Sequence, residues 1–449
     1  MDPDREYYSA YFPAAQVVKF LQRHSTRPPE YREFALRWFI NNRPSWQRFN
    51  AFATPQQLVD NVVRRRPIGL YVGPAYNYDP TYRGLFTTAR MRPVEQKLIF
   101  DIDLTDYDDI RRCSCVGKTT GLRCCSTCWT LAACAIIILR NLLRYKFGFH
   151  EFMFTFSGSK GAHCWVLDQA ALSWPDSARL SLSAYFRPFV REFTQAAPLQ
   201  SCPVLLQCYE QVIRPLFIQH IVGQVVDFSS AHGRSLVASC ATAHGFTELG
   251  FLDQLPPIPD PRRFWCHIEA ELLQRNGAPV VRSVIMMCTF PRLDKDITTS
   301  MQHLIRCPFS INGARGKLCV PIRYHNALDF DPAAAPDSKS VSIDTLQPYL
   351  EVLDEALVAP WTQLWVCRLC EQPSGKAWKT SRLDVSKFNA GCIFLRQDEF
   401  ETHQEQRHQR KGLAASSTAK ALAREIYDRP TVAQKHRVFA TLLEIKHRR

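Results

Sequence analysis

This sequence of 449 residues lacks the features that direct a chain into or across a membrane. Its longest apolar run, Leu131 to Leu139, ends at Arg140 and is shorter than the roughly 18 residues that span a bilayer. The N-terminal segment MDPDREYY is neither basic nor apolar, so we expect no signal peptide and no membrane partner. Internal repeats and long low-complexity tracts are also absent, and a hydrophobic content of 46% excludes an intrinsically disordered chain.

Acidic residues are scarce relative to basic ones, with 42 Asp and Glu against 56 Lys and Arg, and the formal net charge is +14. A surplus of this size favours polyanionic partners such as nucleic acid, nucleotides or an acidic membrane, although a merely basic soluble protein has the same composition. The 17 cysteines accompany no secretion signal, which argues against a disulfide scaffold. We therefore expect free buried thiols together with metal ligands.

The hydrophobic pattern predicts a chain that mixes helices and strands. Residues 1–66 are predicted to be helical, including a segment from Phe34 to Ile40 that stops at Arg43. Apolar segments predict strands at 68–73, 97–103, 152–158, 162–168, 282–290 and 318–322. A long helix is predicted at 129–147 and a mostly helical insertion at 171–278. The composition predicts a linker at 329–342, followed by a smaller unit that begins near Trp361 and ends in a basic tail at 401–449.

The segment KLIFDID predicts a buried strand with two carboxylates at its end. Because side chains alternate between the faces of a strand, Asp101 and Asp103 lie on one face, about 6–7 Å apart at Cα. Paired carboxylates of this kind hold hard divalent cations, and two such cations form the usual clamp for in-line displacement at phosphorus. The alternative is a solvated strand end, since Asp-x-Asp also occurs by chance.

The segment SGSKGAH joins two predicted strands as a hairpin. Gly158 and Gly161 allow backbone N–H groups to approach an anion, and the side chains of Ser157, Lys160 and His163 add further donors. This composition predicts a phosphate cradle, with an ordinary glycine hairpin as the alternative. A Walker-like trace at 117–119 lacks the upstream glycine and the flanking strand, so a P-loop is rejected.

Further polar groups follow the predicted strand 282–290. Asp294 in the segment FPRLD adds a third carboxylate, although most strand-end aspartates are caps. Arg306 and Asn312 follow it and would lie near the same strand end.

Two groups of cysteine and histidine have spacings typical of zinc sites. Cys113-x-Cys115 and Cys125-x₂-Cys128 predict a closed structural site, with Cys124 as an alternative ligand. The second group, which predicts a possible further site, contains Cys367, Cys370, His403 and His408, with Cys392 as an alternative to one histidine.

The order of these motifs closely resembles the catalytic small subunit of eukaryotic-type DNA primase, in the archaeo-eukaryotic primase superfamily. The resemblance lies in EQKLIFDIDLTDYDDIRRC (95–113), CSTCW (125–129), FSGSKGAHCWV (156–166) and FPRLD (290–294), and it covers roughly residues 1–350. YREFALR (31–37) and RFNAF (48–52) resemble the N-terminal segments of the family. The C-terminal unit has no counterpart in this pattern.

The resemblance implies an α+β fold, with a mixed-sheet primase catalytic core, a helical insertion subdomain, a structural zinc loop and a small C-terminal zinc-like module. Its domains would be the first part of the core at 1–170 with the zinc loop at 113–128, the helical insertion at 171–280, the second part of the core at 281–350, and the C-terminal module with a basic helical tail at 360–449.

The resemblance also implies roles for individual residues. Asp101, Asp103 and Asp294 would be the catalytic ligands of two Mg²⁺ or Mn²⁺ ions. The nucleoside triphosphate would be bound by Arg48, Ser157, Gly158, Lys160, Gly161, His163, Arg306 and Asn312. The sequence departs from the family at four positions: Arg306 replaces a common Lys, Asn312 a frequent His, Ser159 a frequent Arg, and Tyr71 a common acidic residue near the ribose, which predicts weaker acceptance of ribonucleotides.

The function implied by the resemblance is synthesis of short RNA primers on single-stranded DNA from NTPs by a nucleotidyltransferase, for DNA replication. A primase large subunit and the DNA polymerase alpha complex would be its partners, zinc its structural metal, and the nucleus its location. Two alternatives stay open: a primase-polymerase that extends primers with dNTPs in damage tolerance, and a non-catalytic zinc-dependent protein that binds nucleic acid.

Overall fold

The computed structural model describes residues 3–41, 43–85, 90–117, 124–186, 202–313 and 317–357, with two short strands at 365–366 and 393–394. Contacts divide the chain into two compact units. The first contains residues 1–140 and 152–357, and the second contains 141–151 and 358–449. Antiparallel strands and helices alternate along the first unit, so the predicted α+β class is confirmed.

One antiparallel sheet is built from the N-terminal part of the first unit. Its strands are β1 (Arg32–Ile40), β2 (Arg43–Asn50), β3 (Gly69–Tyr76) and β4 (Pro93–Glu95), in the order β2-β1-β3-β4, and β8 (Ile305–Arg306) also pairs with β3. The helical prediction for residues 34–40 is therefore wrong. Phe34, Ala35 and Leu36 are all buried because both faces of β1 are covered there, which removes the alternation that marks a half-exposed strand.

A second sheet carries the acidic strand. It contains β5 (Leu98–Asp103), β6 (Phe152–Phe156), β7 (Gly161–Val166) and β9 (Pro321–Ile322), in the order β5-β7-β6-β9 with antiparallel pairing. The predicted strand at 97–103 and the predicted hairpin are both present. All six residues of β7 are buried, so the sheet forms part of the core.

Helices cover the sheets. In addition to those described below, the helices and the longer 3₁₀ turns are Pro3–Ala10, Ala14–Gln22, Pro55–Arg65, Pro80–Leu85, Leu104–Tyr107, Asp176–Phe186, Gly250–Asp253, Lys295–Thr299 and Ile343–Leu357. The helices Pro3–Ala10 and Ala14–Gln22 both contact Pro55–Arg65.

The helix Ser126–Tyr145 is long and apolar enough to cross a membrane by length and composition. The sequence analysis expected no segment of this length, because the longest uninterrupted apolar run ends at Arg140. Within the protein, 72% of its most apolar 18-residue window is buried. Burial to this extent is typical of a core helix, so the length of the segment by itself does not indicate a membrane span.

The described residues of the segment 171–278 are mostly helical, as the hydrophobic pattern predicts. Its segments are Pro203–Cys208, the π-helical Tyr209–Ile213, Arg214–Leu216, the π-helical Phe217–Ile221, Ala231–Ala243 and Pro261–Gln274. The next element, Ala278–Thr289, is a helix, so the predicted strand at 282–290 is wrong. Eight of its twelve residues are buried, and such a continuous apolar run does not distinguish a strand from a buried helix.

Two segments near the end of the described chain also bear on the predictions. Residues 329–342, expected to be a linker, are part of the first unit and pack within it: Lys317 Nζ donates to the Ala333 carbonyl at 2.8 Å, and the rings of Phe330 and Trp129 are 5.1 Å apart. In the second unit, β10 (Trp365–Val366) pairs with β11 (Ile393–Phe394) in antiparallel fashion.

Candidate functional site

The two acidic residues of β5 lie beside the hairpin strand β7. Asp101 is paired in register with His163, and Asp103 is paired with Gly161. Each carboxylate is about a quarter exposed, 24% for Asp101 and 25% for Asp103, while Ile102 between them is fully buried. The strand therefore directs both carboxylates to one partly open face, as the alternation of its side chains requires.

The third predicted carboxylate, Asp294, is brought to the same strand by its backbone. Its N–H donates to the carbonyl oxygen of Asp101 at 3.0 Å. Its side chain caps the short helix Lys295–Thr299 by accepting a hydrogen bond from Asp296 N at 2.9 Å. Because the cap uses only the Oδ1 atom, Asp294 can cap this helix and also belong to the cluster of carboxylates.

Arg292 fixes the segment that carries Asp294 to the loop after β5. Its guanidinium binds both carboxylate oxygens of Asp109, at 2.5 and 3.1 Å, and also donates to the Asp106 carbonyl at 2.6 Å. The Arg292 N–H donates to the hydroxyl of Tyr107 at 2.8 Å. A bidentate, largely buried arginine is a strong geometric constraint, so Arg292 is a positioning residue for Asp294.

Negative charge accumulates at this point. The pKa of Asp101 is raised to about 8, first by burial and then by the charges of Asp103 and Asp294, and only partly offset by Lys160. The pKa of Asp106 is also raised, by burial and by the same two aspartates. Asp106 was not assigned a role from the sequence, although the run DYDD contains it.

The structure places one ammonium group among these carboxylates. Lys160 Nζ lies 2.6 Å from Asp103 Oδ2 and donates to Thr105 Oγ1 at 3.3 Å. The other oxygen of Asp103 accepts from the N–H and the hydroxyl of Thr105, at 2.9 and 2.8 Å. A surplus of oxygen ligands over cations remains, and this donor set fits hard divalent cations such as Mg²⁺ and Mn²⁺.

The hairpin loop offers hydrogen-bond donors beside the carboxylates. The N–H groups of Gly158, Ser159 and Lys160 have no acceptor among the described residues, whereas Ser157 N closes the loop by donating to Gly161 O at 2.9 Å. Gly158 has φ +81°, a conformation that favours glycine. Successive free N–H groups of this kind form an anion-binding concavity.

His163 lies between the carboxylates of β5 and Arg306. Its Nε2 is 3.8 Å from Asp101 Oδ1, and its Nδ1 is 3.4 Å from the hydroxyl of Thr155, which is fully buried. The pKa of His163 is lowered to about 3, first by burial and then by the charge of Arg306. The ring is therefore neutral at physiological pH and acts as a hydrogen-bonding group without a positive charge.

Arg306 and Asn312 lie on the β3 side of the site. Arg306 is paired in register with Tyr71, donates to the Tyr71 hydroxyl at 2.9 Å and to the Ile311 carbonyl at 3.2 Å. Asn312 N donates to Lys317 O at 2.8 Å, and its amide reaches the Ser157 carbonyl at 3.5 Å. Asn312 therefore connects the two sides, and Tyr71 fixes the Arg306 guanidinium.

Arg48, a predicted phosphate contact, is bound to Glu33, a buried acid to which the sequence analysis gave no role. Its Nε and one terminal nitrogen bind the two oxygens of Glu33 at 2.8 and 3.0 Å. Glu33 also accepts from the Tyr76 hydroxyl at 3.1 Å and its side chain is fully buried. Arg48 is one third exposed, so part of its guanidinium stays accessible. Glu33 lies in the segment YREFALR, and a lone acid within an apolar strand was the available signal.

The first cysteine group is assembled in the described structure. The sulfurs of Cys113, Cys115, Cys125 and Cys128 all lie within 4.8 Å of one another. Cys125 and Cys128 lie at the start of the helix Ser126–Tyr145, and the Cys125 N–H donates to Cys128 Sγ at 3.2 Å. The four thiols have the composition and closeness of a tetrahedral zinc site without an open position.

Cys124, the alternative ligand, has a different position. Its thiol hydrogen-bonds to Cys128, and this bond is the main reason why the pKa of Cys128 is lowered to about 5. A donor that stabilises the Cys128 thiolate supports the group of four without joining it. The second predicted group, Cys367, Cys370, His403 and His408 with the alternative Cys392, lies outside the described residues.

The zinc content of variants distinguishes the four cysteine ligands from the supporting donor Cys124. We expect Cys113→Ser to lower bound zinc by about one equivalent per chain, because a hydroxyl is a poor replacement for a thiolate ligand. The measurement is the zinc-to-protein ratio by atomic emission, with Cys124→Ser as the matched control that keeps its zinc. Equal zinc in Cys113→Ser and the parent protein would contradict the assignment.

The raised pKa of Asp101 predicts how stability depends on pH when divalent cations are removed. The folded chain binds a proton at Asp101 more readily than the unfolded chain, so stability falls as the pH rises from about 4 to about 8. We expect Asp101→Asn to remove part of this fall and to raise the melting temperature at pH 8 by about 2 °C or more.

Calorimetry in EDTA measures this effect, and Asp331→Asn, at an exposed residue outside the cluster, is the control. Added Mg²⁺ should raise the melting temperature of the parent at pH 8 and have little effect on Asp101→Asn. Identical melting temperatures of the parent and Asp101→Asn at every pH would contradict the raised pKa of Asp101.

Comparison with known proteins bears on this arrangement. Residues 100–324, half of the chain, match the family model described as DNA primase small subunit. The DNA primase small subunit of Saccharomyces cerevisiae is 27% identical over 377 residues, which cover 77% of this chain and 88% of that protein.

Two further relatives have the same description. The DNA primase small subunit of Schizosaccharomyces pombe is 25% identical over 348 residues, covering 74% of this chain and 75% of that protein. The Caenorhabditis elegans protein is 27% identical over 357 residues, covering 74% of this chain and 84% of that protein. The segment matched by the family model contains Asp101 and Asp103, the cysteine group, the hairpin, Asp294 and Arg306, so the chain belongs to the DNA primase small subunit family.

Proposed function

We propose that this protein synthesises short RNA primers on single-stranded DNA for DNA replication, as a template-directed nucleotidyltransferase. The observation that carries the proposal is the meeting of Asp101, Asp103 and Asp294 at one end of β5, beside a loop with free N–H groups. The family to which the chain belongs supports the same function. The catalytic ions, their number and the individual roles of residues are part of this proposal.

Each side chain has a task that follows from its position. Asp101, Asp103 and Asp294 would hold two Mg²⁺ or Mn²⁺ ions, which when bound supply the positive charge that acidifies a 3′-hydroxyl and neutralises a triphosphate. Ser157 and the free N–H groups of Gly158, Ser159 and Lys160 would bind phosphate oxygens. A preorganised set of donors stabilises the charge of the reacting phosphate without reorganising.

The remaining residues orient the nucleotide. His163, neutral and held by Thr155, would donate or accept one hydrogen bond without adding charge. Arg306, held by the Tyr71 hydroxyl, would contact a phosphate from the opposite side, and Asn312 would bridge the two sides. Lys160 binds Asp103 in this structure. Once cations occupy the carboxylates, Lys160 would bind a phosphate oxygen instead, because carboxylate and phosphate both attract its ammonium group.

The proposal extends to partners and location. The chain would work with a primase large subunit, on a single-stranded DNA template and NTPs, within a complex that contains DNA polymerase alpha. Replication of nuclear DNA would place it in the nucleus. The zinc group at Cys113, Cys115, Cys125 and Cys128 would be structural and would fix the loop after the acidic strand to the helix Ser126–Tyr145.

Nucleotide incorporation tests the proposal directly. We expect Asp103→Asn and Asp101→Asn to lower primer synthesis at least 10²-fold, because each removes an anionic ligand from the site. The assay is incorporation of labelled NTP on a single-stranded DNA template with Mg²⁺ or Mn²⁺, and Asp331→Asn is the control with unchanged activity. Normal synthesis by either site variant would defeat the metal assignment.

One observation favours the alternative of a primase-polymerase that uses dNTPs. The Tyr71 ring lies beside the site and its hydroxyl is held by Arg306, where a carboxylate would be common in the family. A buried aromatic ring adds bulk near the sugar and offers no anionic acceptor for a 2′-hydroxyl.

The ratio of NTP to dNTP incorporation tests this role of Tyr71. We expect Tyr71→Asp to shift the ratio toward NTPs by about tenfold, since a hydrogen bond to a charged group contributes about 1.5–3 kcal/mol. Tyr71→Phe, which keeps the ring, should leave the ratio near that of the parent. Equal ratios in the parent and Tyr71→Asp would exclude the role, and initiation from NTPs alone would exclude the alternative.

A further inference from the structure

The hairpin formed by β1 and β2 exposes large aromatic rings on one face of its sheet. Phe39 is 52% exposed and Trp46 is 44% exposed. In register, Arg37 is paired with Trp46, and Arg37 and Phe39 are two residues apart on one strand, so all three share a face. Monomeric proteins seldom expose large rings side by side without using them.

These side chains continue a stack that begins at the candidate nucleotide site. The Arg306 guanidinium lies over the Tyr71 ring at 4.9 Å, and the Tyr71 and Trp46 rings are 4.7 Å apart. The Arg37 guanidinium is 5.2 Å from the Trp46 ring and 5.3 Å from the Phe39 ring. We call these five residues, Arg306, Tyr71, Trp46, Arg37 and Phe39, the hairpin face.

The floor beneath this stack is made of small residues. Ala35 is fully buried and is paired in register with Tyr71, and Gly69 is paired with Arg37. A Cβ at Gly69 would lie 2.8 Å from Cε2 of Tyr71, so the ring lies directly over this glycine. Small residues here leave room for the buried Tyr71 ring against the sheet, while the Phe39 and Trp46 rings stay exposed.

The charge on and around the hairpin face is positive and uncompensated. Arg37, at the centre of the stack, and Arg306, at its end, have no carboxylate partner in the part of the chain that the structure describes. The one acid on this face of β1, Glu33, is bound by Arg48.

We propose that the hairpin face binds the single-stranded DNA template, with unpaired bases stacked on Phe39 and Trp46 and a phosphate contacted by Arg37. This inference rests on the proposed function, and it adds where the template lies. Alternating aromatic rings and unpaired arginines match a strand of bases and phosphates, because stacking accepts any base and the arginines neutralise the backbone. The stack leads toward Arg306, and the strand would therefore reach the nucleotide site along it.

Binding measurements on the full-length protein test the inference without chemistry. The probe is a fluorescein-labelled oligodeoxythymidine, followed by anisotropy in the absence of nucleotides and divalent cations. We expect Phe39→Leu to raise the dissociation constant at least about fivefold, the lower end of the loss of one stacked base. Phe39→Trp keeps a stacking surface and should stay within about twofold of the parent.

Two further variants separate base stacking from charge and from non-specific hydrophobic contact. Arg37→Gln should lower the slope of log K against log salt by about 0.7, for one lost phosphate contact, while Phe39→Leu leaves the slope unchanged. Ile40→Ala is the matched control, since Ile40 is 58% exposed on the other face of β1 and should not affect DNA affinity.

Unchanged DNA affinity in Phe39→Leu would overturn the inference, as would an equal loss in Phe39→Leu and Ile40→Ala. If Phe39→Leu binds DNA normally but releases a protein subunit from the purified complex, the face docks a protein and the inference is wrong. If the parent binds DNA through Phe39 yet incorporates no nucleotide, the proposed function fails and the inference stands.

Discussion

The site depends on holding carboxylates together against their own repulsion. Asp101 and Asp103 are forced onto one face by strand alternation, and Asp294 is attached to the same strand by the hydrogen bond from its N–H to the Asp101 carbonyl. Burial, and then the charges of Asp103 and Asp294, raise the pKa of Asp101 and oppose its ionisation in the folded chain. A fold that concentrates charge in this way is suited to divalent cations, which relieve the repulsion that the backbone imposes.

The backbone of the hairpin is part of the same constraint. A Cβ at Gly161 would lie 2.1 Å from the Ile102 carbonyl, so only glycine allows β7 to approach β5 at this point. That approach places Lys160 against Asp103 and His163 beside Asp101. The Arg292 pair with Asp109 performs the equivalent task for the segment that carries Asp294. Positioning therefore rests on backbone contacts and buried arginine as much as on the site residues.

The sequence was informative where chemistry and local pattern coincide. The strand ending in Asp101 and Asp103, the hairpin, and the grouping of four cysteines were predicted from spacing, and the structure has all three features. Assignments based on hydrophobicity alone were less successful: β1 was predicted as a helix and the helix Ala278–Thr289 as a strand, because the first half of β1 and most of this helix are buried and show no alternation.

Partners distant in the sequence were missed for a different reason. The pairing of Arg48 with Glu33, of Arg292 with Asp109, and of Tyr71 with Arg306 joins segments up to 235 residues apart, and no local pattern records such contacts. The stack on the hairpin face likewise exists only once β1, β2, β3 and β8 are assembled. Family membership indicates the function expected of the chain, whereas these contacts describe how this sequence arranges its own site.

The central claim is that Asp101, Asp103 and Asp294 converge on a shared divalent-cation site. Anomalous diffraction from crystals soaked with Mn²⁺ above pH 8 tests it most directly. The account predicts Mn²⁺ peaks roughly 2–2.5 Å from oxygens of all three side chains. An absence of such peaks, or a cation held elsewhere while these carboxylates point apart, would contradict it.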